Sequence, residues 1–504
     1  MSDKPNILIV LSDQMTPQLT GAYGHNVVKT PNLNMLCESG IRFDAAYTNS
    51  PICAPARASL ISGRYVSEIG AYDNGVNFPA DIPTFLHMLR LEGYDVVASG
   101  KMHYLGPDQL HGLEERLTQD IYPANYKWVP EWQTERASGI VNDKGHLVEH
   151  EKIGCREWTN QMNYDEETHS RALEYLRRRI YTRDDPKKVQ DKPFCLIVSY
   201  TQPHSPYLTV KKYWDLYDDE EIELPKIMEG YQDAECMMDK WLRDYEGISE
   251  KLMNDPGALR TMRRAYYGMI SYIDEKVGDL IDCLENLDLR EDTAVIFAAD
   301  HGDMVGERGF IEKRVFYEYS SRIPMIWSWP KKWKKGVAVA DPVSLLDVCP
   351  TLIDLMDSDF PFSLPGRSLL EYLLKDSDKI QSQMDPAHRI VVSEYHCEGV
   401  LAPCFMVRRG KYKYIYVHGQ DSQLFDLEND PDELRNLSNM DAFRQLANEF
   451  KAMIFHRFNP DAINENVTEK QNRCRYINKA MMSGKKTYWD LRPNPNEGLK
   501  YDQK

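Results

Sequence analysis

Four short β-branched and apolar runs in this chain each stop at a cluster of polar residues. They are Asn6 to Leu11 before Ser-Asp-Gln, Asp95 to Ala98 before Ser-Gly-Lys-Met-His, Phe194 to Tyr200 before Thr-Gln-Pro-His, and Ala294 to Ala299 before Asp-His-Gly. Amphipathic helical patterns lie between them, at Ile82 to Glu92, Asp165 to Arg179 and Ala258 to Asn286. Strands that alternate with helices predict an α/β fold with a large, mostly parallel, doubly wound sheet flanked by helices. In such sheets ligands bind beyond the carboxyl ends of the strands. The four polar clusters are therefore expected to converge on one crevice.

This pattern defines a first unit, residues 1–385. Near Asp385 the texture changes: Arg389 to Tyr395, Phe405 to Arg408 and Lys411 to Val417 read as strands, the last two turning at Arg409-Gly410. An acidic turn from Gln423 and a helix near Ala442 to Phe455 follow, so residues 386–460 are expected to form a small antiparallel α+β subdomain. After about Asn459 the chain is polar and carries Tyr488-Trp489-Asp490 with Pro493 and Pro495. Residues 461–504 are read as an extended arm that docks in an oligomer contact.

Charge excludes some partners. The 78 acidic residues exceed the 61 basic ones, giving a net charge of −17, so the averaged field repels nucleic acid and anionic membrane surfaces. The first apolar run covers only Ile7 to Leu11, and no stretch approaches the roughly 20 apolar residues of a membrane span. A cytoplasmic protein with no membrane partner is expected. Ten cysteines without paired spacing read as reduced thiols, not as a disulfide framework or a zinc site.

One of those cysteines opens Cys53-Ala-Pro-Ala-Arg57, continuing Ala-Ser-Leu-Ile-Ser62-Gly63-Arg64. Asp13 and Gln14 end the first strand and Asp300-His301 a later one, a ligand set that suits a hard divalent cation, Ca²⁺, or Mn²⁺ if His301 coordinates. Lys101 and His103 stand two residues apart, on one side if the backbone is extended. His204 ends another strand, and Lys313 follows Asp300 by thirteen residues.

Together these residues resemble the formylglycine-dependent sulfatases, of the alkaline phosphatase-like superfamily. The resemblance implies that Cys53 is oxidised by a formylglycine-generating enzyme to an aldehyde, whose hydrate carries two hydroxyls. One attacks sulfur; the other then loses its proton and sulfate is expelled as the aldehyde re-forms. It further implies that Arg57 orients residue 53 and the lysine, Lys101 holds a sulfate oxygen, His103 is the base of the elimination step, and His204 and Lys313 bind sulfate and protonate the leaving oxygen. Asp13, Gln14, Cys53, Asp300 and His301 are the implied metal site. Asn74, in Tyr-Asp-Asn-Gly, is a further candidate, although a plain turn uses the same residues. Two positions depart from the common pattern: Gln14, where many members have a second aspartate, and Ser62, where threonine is usual.

Phosphonate monoester hydrolases share the modified cysteine and the Asp-Gln site. The run from Ser99 to Ala124, Thr159 to Asp165, Asp300 to Gly309, Arg475-Tyr-Ile-Asn and Tyr488-Trp-Asp490 are instead very similar to choline-sulfatases. That resemblance implies hydrolysis of choline sulfate to choline and sulfate, freeing a precursor of glycine betaine. It also implies a homotetramer in which one subunit's tail reaches a neighbour's pocket. A quaternary ammonium donates no hydrogen bonds and is held by aromatic faces and diffuse negative charge. Trp128, Glu398 and Asp490 match positions of that character. Two alternatives stay open: an esterase for another small sulfate or phosphonate ester, and an idle binding homologue if Cys53 remains a thiol.

Overall fold

The structure, a computed structural model, describes residues 4–133, 153–183, 192–246, 253–374 and 389–493. At its centre lie strands β1 (Asn6–Ser12), β2 (Ile41–Phe43), β3 (Asp95–Gly100), β4 (Glu115–Arg116), β5 (Phe194–Ser199), β6 (Thr293–Ala299), β7 (Met325–Ser328) and β8 (Val337–Val339). They form one sheet in the order β8-β2-β7-β6-β1-β5-β3-β4. The middle of this sheet is parallel: β1 pairs with both β5 and β6, and β3 with β5. Strand β7 runs antiparallel to β6 and β2. Every residue of β5 and β6 is buried, which is why their sequences are continuously apolar and do not alternate. Helices expected between the strands appear as Phe85–Leu91, Asn160–Arg183 and Pro256–Asn286.

A second sheet joins β9 (Ile390–Tyr395), β10 (Cys404–Arg409), β11 (Tyr412–Val417) and β12 (Ser422–Asp426) in sequential antiparallel order. Arg409 faces Tyr412 across the tight turn, where Gly410 supplies a positive φ of 54°. The acidic segment from Gln423 is thus partly a strand: Gln423, Leu424, Phe425 and Asp426 pair with β11 before the turn begins. Phe405, Tyr416 and Phe425 of this sheet share a core with Tyr47, Ile52, Phe310 and Phe316 of the first unit. The expected boundary at residue 385 lies outside the described residues.

The tail departs from expectation. Residues Pro460–Met481 form a helix, not an extended arm. Asn459 caps it, its side chain accepting from the Ala462 N–H at 3.1 Å, and Pro460 occupies the first helical position. Ile463, Val467, Gln471 and Cys474 form its narrow buried stripe. Extended chain begins only past this helix, and Trp489 then packs on Tyr126 of the same chain, ring centroids 5.1 Å apart. No described helix is long and apolar enough to cross a membrane.

Candidate active site

One buried arginine ties four neighbouring strand ends together. Arg57 donates to Asp13 Oδ2 (3.0 Å) after β1, to the Lys101 carbonyl (2.5 Å) after β3, to Ser199 Oγ (2.7 Å) at the end of β5 and to Asp300 Oδ2 (2.9 Å) after β6. It stands in the fully buried helix Cys53–Ser62, which Gly63 ends in the left-handed conformation at φ 66°. A Cβ there would lie 2.7 Å from that of Cys349. At the other end, Ala54 N–H donates to Asn74 Oδ1 at 2.9 Å, so Asn74 fixes the turn that presents Cys53.

Arg57 occupies one oxygen of each aspartate; Asp13 Oδ1 faces Cys53, and Asp300 Oδ1 accepts from the N–H groups of Gln14 (3.1 Å) and His301 (3.0 Å). The Cys53 thiol lies 3.7 Å from Asp13 Oδ1 and 3.2 Å from His301 Nε2. Asp13, Cys53, Asp300 and His301 offer ligand atoms that all lie within 4.8 Å of one another, every residue being buried. Two carboxylate oxygens, an imidazole nitrogen and residue 53 make a donor set that fits a small divalent cation. Gln14 is placed differently. Its amide donates to Asp303 Oδ2 (2.6 Å) and accepts from Lys313 Nζ (2.5 Å), so it joins Lys313 to the strand end.

The charges are set by these contacts. Burial pushes Asp13 up, but Lys101, His204, Arg57 and His301 together hold it well below the usual carboxylate range. Lys101 forms an ion pair with Asp13 Oδ2, which against burial raises the ammonium above its ordinary value. Burial lowers His301, keeping the imidazole neutral and free to ligate.

His103 does not lie on extended backbone. Its φ is 57°, in the left-handed region that costs a non-glycine residue about 1 kcal/mol or more. Both its ring nitrogens are buried without a hydrogen-bond partner, and burial, reinforced by Lys101, depresses it well below the ordinary histidine value. It is a neutral imidazole with an unspent lone pair, as a proton acceptor requires.

Lys313 Nζ also lies 2.7 Å from His204 Nε2, while His204 Nδ1 meets the Ser205 carbonyl at 2.6 Å. A carbonyl only accepts, so Nδ1 carries the proton and the Nε2 lone pair faces the ammonium. Gln161 Nε2 holds the carbonyls of His204 (3.0 Å) and Ser205 (2.9 Å). Ser205 Oγ donates to Glu312, which pairs with Arg314 at 2.8 Å.

Aromatic rings wall this crevice. Tyr122 stands 4.8 Å from the His103 ring, 5.1 Å from Trp128 and 6.4 Å from His204, with Lys101 Nζ 4.5 Å from its centroid. Trp128 in turn meets His103 edge-on at 6.1 Å. Glu398 reaches the same region through its N–H, which donates to Asp73 Oδ2 at 2.8 Å beside Asn74. Its carboxylate is not alone: Arg314 donates to Oε1 through Nη2 (2.8 Å) and Nε (3.1 Å). Asp490 accepts from the Ala124 N–H at 2.8 Å, so it supports the aromatic loop of its own chain.

The structure thus gathers Asp13, Cys53, Arg57, Lys101, Asp300 and His301 in one cluster, extends it through Gln14 to Lys313 and His204, and sets His103 and Trp128 beside it. Sequence reasoning passed over Asp303, Ser199, Tyr122 and Arg314. Asp303 accepts from Gln14, the Tyr207 hydroxyl (2.9 Å) and the N–H groups of Val305 (2.8 Å) and Glu312 (3.0 Å), and burial pushes it up to about 6. Its place three residues past Asp300 was the available signal.

Comparison with known proteins agrees with this geometry. The family described as Sulfatase matches residues 5–358, and that described as N-sulphoglucosamine sulphohydrolase, C-terminal, matches residues 306–458. A choline-sulfatase of Rhizobium meliloti (strain 1021) is 38% identical over 512 residues, covering 99% of this chain and 95% of that protein. An arylsulfatase of Clostridium perfringens (strain 13 / Type A) is 30% identical over 464 residues, covering 88% and 92%. In fold, the phosphonate monoester hydrolase of Agrobacterium radiobacter superposes with a TM-score of 0.71 at 21% identity, covering 90% of this chain and 95% of that one. With the family match running through most of its length and a 38% identical relative spanning nearly all of it, this chain belongs to the sulfatase family and is a sulfuric ester hydrolase.

Proposed function

We propose that the protein hydrolyses choline sulfate to choline and inorganic sulfate. The observation that carries this reading is the aromatic wall of Tyr122 and Trp128 standing directly against the sulfate-handling residues His103, Lys101 and His204. A quaternary ammonium beside a sulfate ester needs that adjacency: aromatic faces for the cation, fixed positive charge for the anion.

In this reading Cys53, matured to formylglycine by a formylglycine-generating enzyme, supplies the attacking hydroxyl. Asp13, Asp300, His301 and residue 53 would hold a divalent cation, Ca²⁺ or Mn²⁺, which when bound would supply a Lewis acid that lowers the hydroxyl's pKa. Arg57 fixes the strand ends and Lys101 takes a sulfate oxygen. The Lys313–His204 pair delivers a proton to the alkoxide of the departing alcohol, which is strongly basic and gains roughly 10²–10⁴-fold from a general acid. His103 then accepts the proton of the remaining hydroxyl as the carbonyl re-forms and sulfate leaves. Asn74 holds the Cys53 turn, while Glu398 and its carboxylate neighbours give the ammonium end diffuse negative charge. The tail, with Asp490 bracing the 122–128 loop, is the element we assign to assembly as a tetramer.

A second reading, hydrolysis of a phosphonate monoester, is favoured by the Asp13-Gln14 pair. Rates on choline sulfate, an aryl sulfate and an aryl phosphonate monoester decide between them, in wild type and in Glu398→Gln. Choline sulfate is expected to be preferred, and the variant to lose mainly that preference. An equal loss on all three esters would remove the choline reading. Peptide mass across Cys53 tests the maturation separately: an unmodified thiol in active protein refutes it.

A further inference from the structure

The turn that carries Lys101 and His103 is held by a residue that touches neither the crevice nor the cation cluster. Asp120 Oδ2 accepts from the His103 N–H at 2.7 Å and the Met102 N–H at 2.9 Å. The same oxygen accepts from Arg116 Nη2 at 2.9 Å, and that nitrogen donates also to the Gly100 carbonyl at 3.1 Å. The Arg116 and Asp120 side chains are 0% and 7% exposed, so the pair is screened from water. One guanidinium and one carboxylate therefore grip the chain on both sides of Lys101, at the carbonyl before it and the two amides after it. Between those grips the backbone enters the left-handed region at His103. Among the described residues neither nitrogen of the His103 ring has a hydrogen-bond partner; its direction is set by its backbone and by the Tyr122 and Trp128 rings. Tyr122 itself follows Asp120 by two residues, its N–H 3.4 Å from Asp120 Oδ1.

We infer that Asp120, clamped by Arg116, is a positioning residue that forces His103 into the left-handed turn and thereby aims its free imidazole at residue 53. This rests on the role of His103 proposed above, but not on which sulfate ester is the substrate. A carboxylate suits the task because one oxygen can accept from two adjacent amides and a guanidinium at once. Asparagine keeps an acceptor at that position only by setting its NH2 against the Tyr122 N–H, and it loses the charge that pairs with Arg116.

The test is Asp120→Asn in the full chain, with conversion at residue 53 verified by peptide mass. Choline sulfate, or whichever sulfate ester the wild type turns over, serves as substrate. Loss of an orienting partner is expected to lower kcat about 10- to 100-fold and KM with it, kcat/KM staying within about two-fold because the first half-reaction is untouched. Because His103 acts after the alcohol has left, the variant is expected to release about one equivalent of alcohol in a burst ahead of sulfate. In protein whose Cys53 is left unconverted, amide exchange at Met102 and His103 is expected to quicken about ten-fold or more. Arg116→Lys, a milder change that keeps the charge, is expected to follow in the same direction and covers the case in which Asp120→Asn does not fold. Unchanged kcat, a fall in kcat with no alcohol burst, or exchange at Met102 and His103 equal to wild type overturns the assignment. A wild type that is matured yet idle on choline sulfate but active on another sulfate ester sinks the substrate reading alone.

Discussion

Gly75→Ala probes the recognition side of the crevice with one methyl group. Gly75 has no positive φ, so alanine brings no backbone strain and its effect is steric. An added Cβ would stand 2.1 Å from Val129 N and 2.3 Å from the Trp128 carbonyl carbon, where ordinary contact begins at 3.4 Å. The two segments must therefore separate by about 1.3 Å, the difference between 3.4 and 2.1 Å. The side bearing Gly75 is pinned: Asp73 accepts from the N–H groups of Gly75 (2.7 Å) and Glu398 (2.8 Å), and Asn74 from that of Ala54 (2.9 Å). The other side has one long backbone bond, Val129 N–H to Tyr126 carbonyl at 3.3 Å. Trp128 is thus the group that yields, carrying its indole off Tyr122. A 1 Å misplacement in a binding site costs about 100-fold, so kcat/KM on choline sulfate is expected to fall roughly 30- to 100-fold. An aryl sulfate, whose ring carries no positive charge and needs no cation wall, is expected to lose less than about five-fold. Steady-state kinetics on the two esters, with thermal melting as the folding control, gives the answer. Equal losses on both, or none on choline sulfate, would refute the argument that Trp128 is held in place by the absence of a side chain at position 75.

Replacing Arg57 by glutamine leaves Asp13 and Asp300 buried without their shared cation, and is expected to cost about 3–5 kcal/mol in urea denaturation, with activity abolished. Stripping divalent ions with a chelator is expected to lower the melting temperature, and adding Ca²⁺ at 100 times its Kd to restore about 2.7 kcal/mol; Asp300→Asn should show no such recovery. Glu246 is pushed up to about 8 by burial, more strongly than Arg314 pulls it down. A raised carboxyl stays protonated in the fold while the unfolded chain ionises. Stability is therefore full below the unfolded value of 4.5 and is lost as pH rises towards 8, at up to about 1.4 kcal/mol per unit. Glu246→Gln should flatten that slope in denaturation curves taken across this window. Asn459→Ala removes the cap of helix Pro460–Met481 and is expected to cost about 1 kcal/mol, seen as a lower melting temperature.

What was legible in the sequence was whatever a strand end announces locally. Asp13, Lys101, Ser199 and Asp300 follow or close apolar runs, and once the sheet is parallel those ends must adjoin. What was not legible depended on partners distant in sequence. Arg314 reaches Glu398 across 84 positions, and nothing in either segment signals that the carboxylate is shared. Lys101 and His103, two positions apart, share a side only on extended backbone, whereas Asp120, 17 positions past His103, draws its amide into a turn. The helix after Asn459 was hidden for a different reason. Its buried stripe is three apolar side chains and a glutamine, too narrow to stand out from a polar segment, although Asn459-Pro460 was a usable start signal.

The shared carboxylate changes how a cation can be selected. If Glu398 were a lone buried anion it would attract any positive group and would be costly to hold empty. Paired with Arg314 it is neutralised at short range, yet Glu312 and Glu246 also lean on that one guanidinium, at 2.8 and 3.5 Å, and burial, with Glu398 adding to it, raises the Asp73 carboxyl well above the usual range. With Glu246 and Asp73 raised by burial and so kept protonated, Glu398 and Glu312 are the two carboxylates set against the one arginine, and the region stays negative. On the sulfate side the balance is reversed, with Lys101, Arg57 and Lys313 set around two aspartates. A substrate whose two ends carry opposite charge, one of them unable to donate hydrogen bonds, gains from both fields. An anion lacking the cationic end gains from one and is opposed by the other. On the proposed choline sulfate reading, selectivity arises from the joined arrangement, which places Arg314, though it meets no reacting atom in this scheme, with Trp128 among the residues that would decide what this sulfatase accepts.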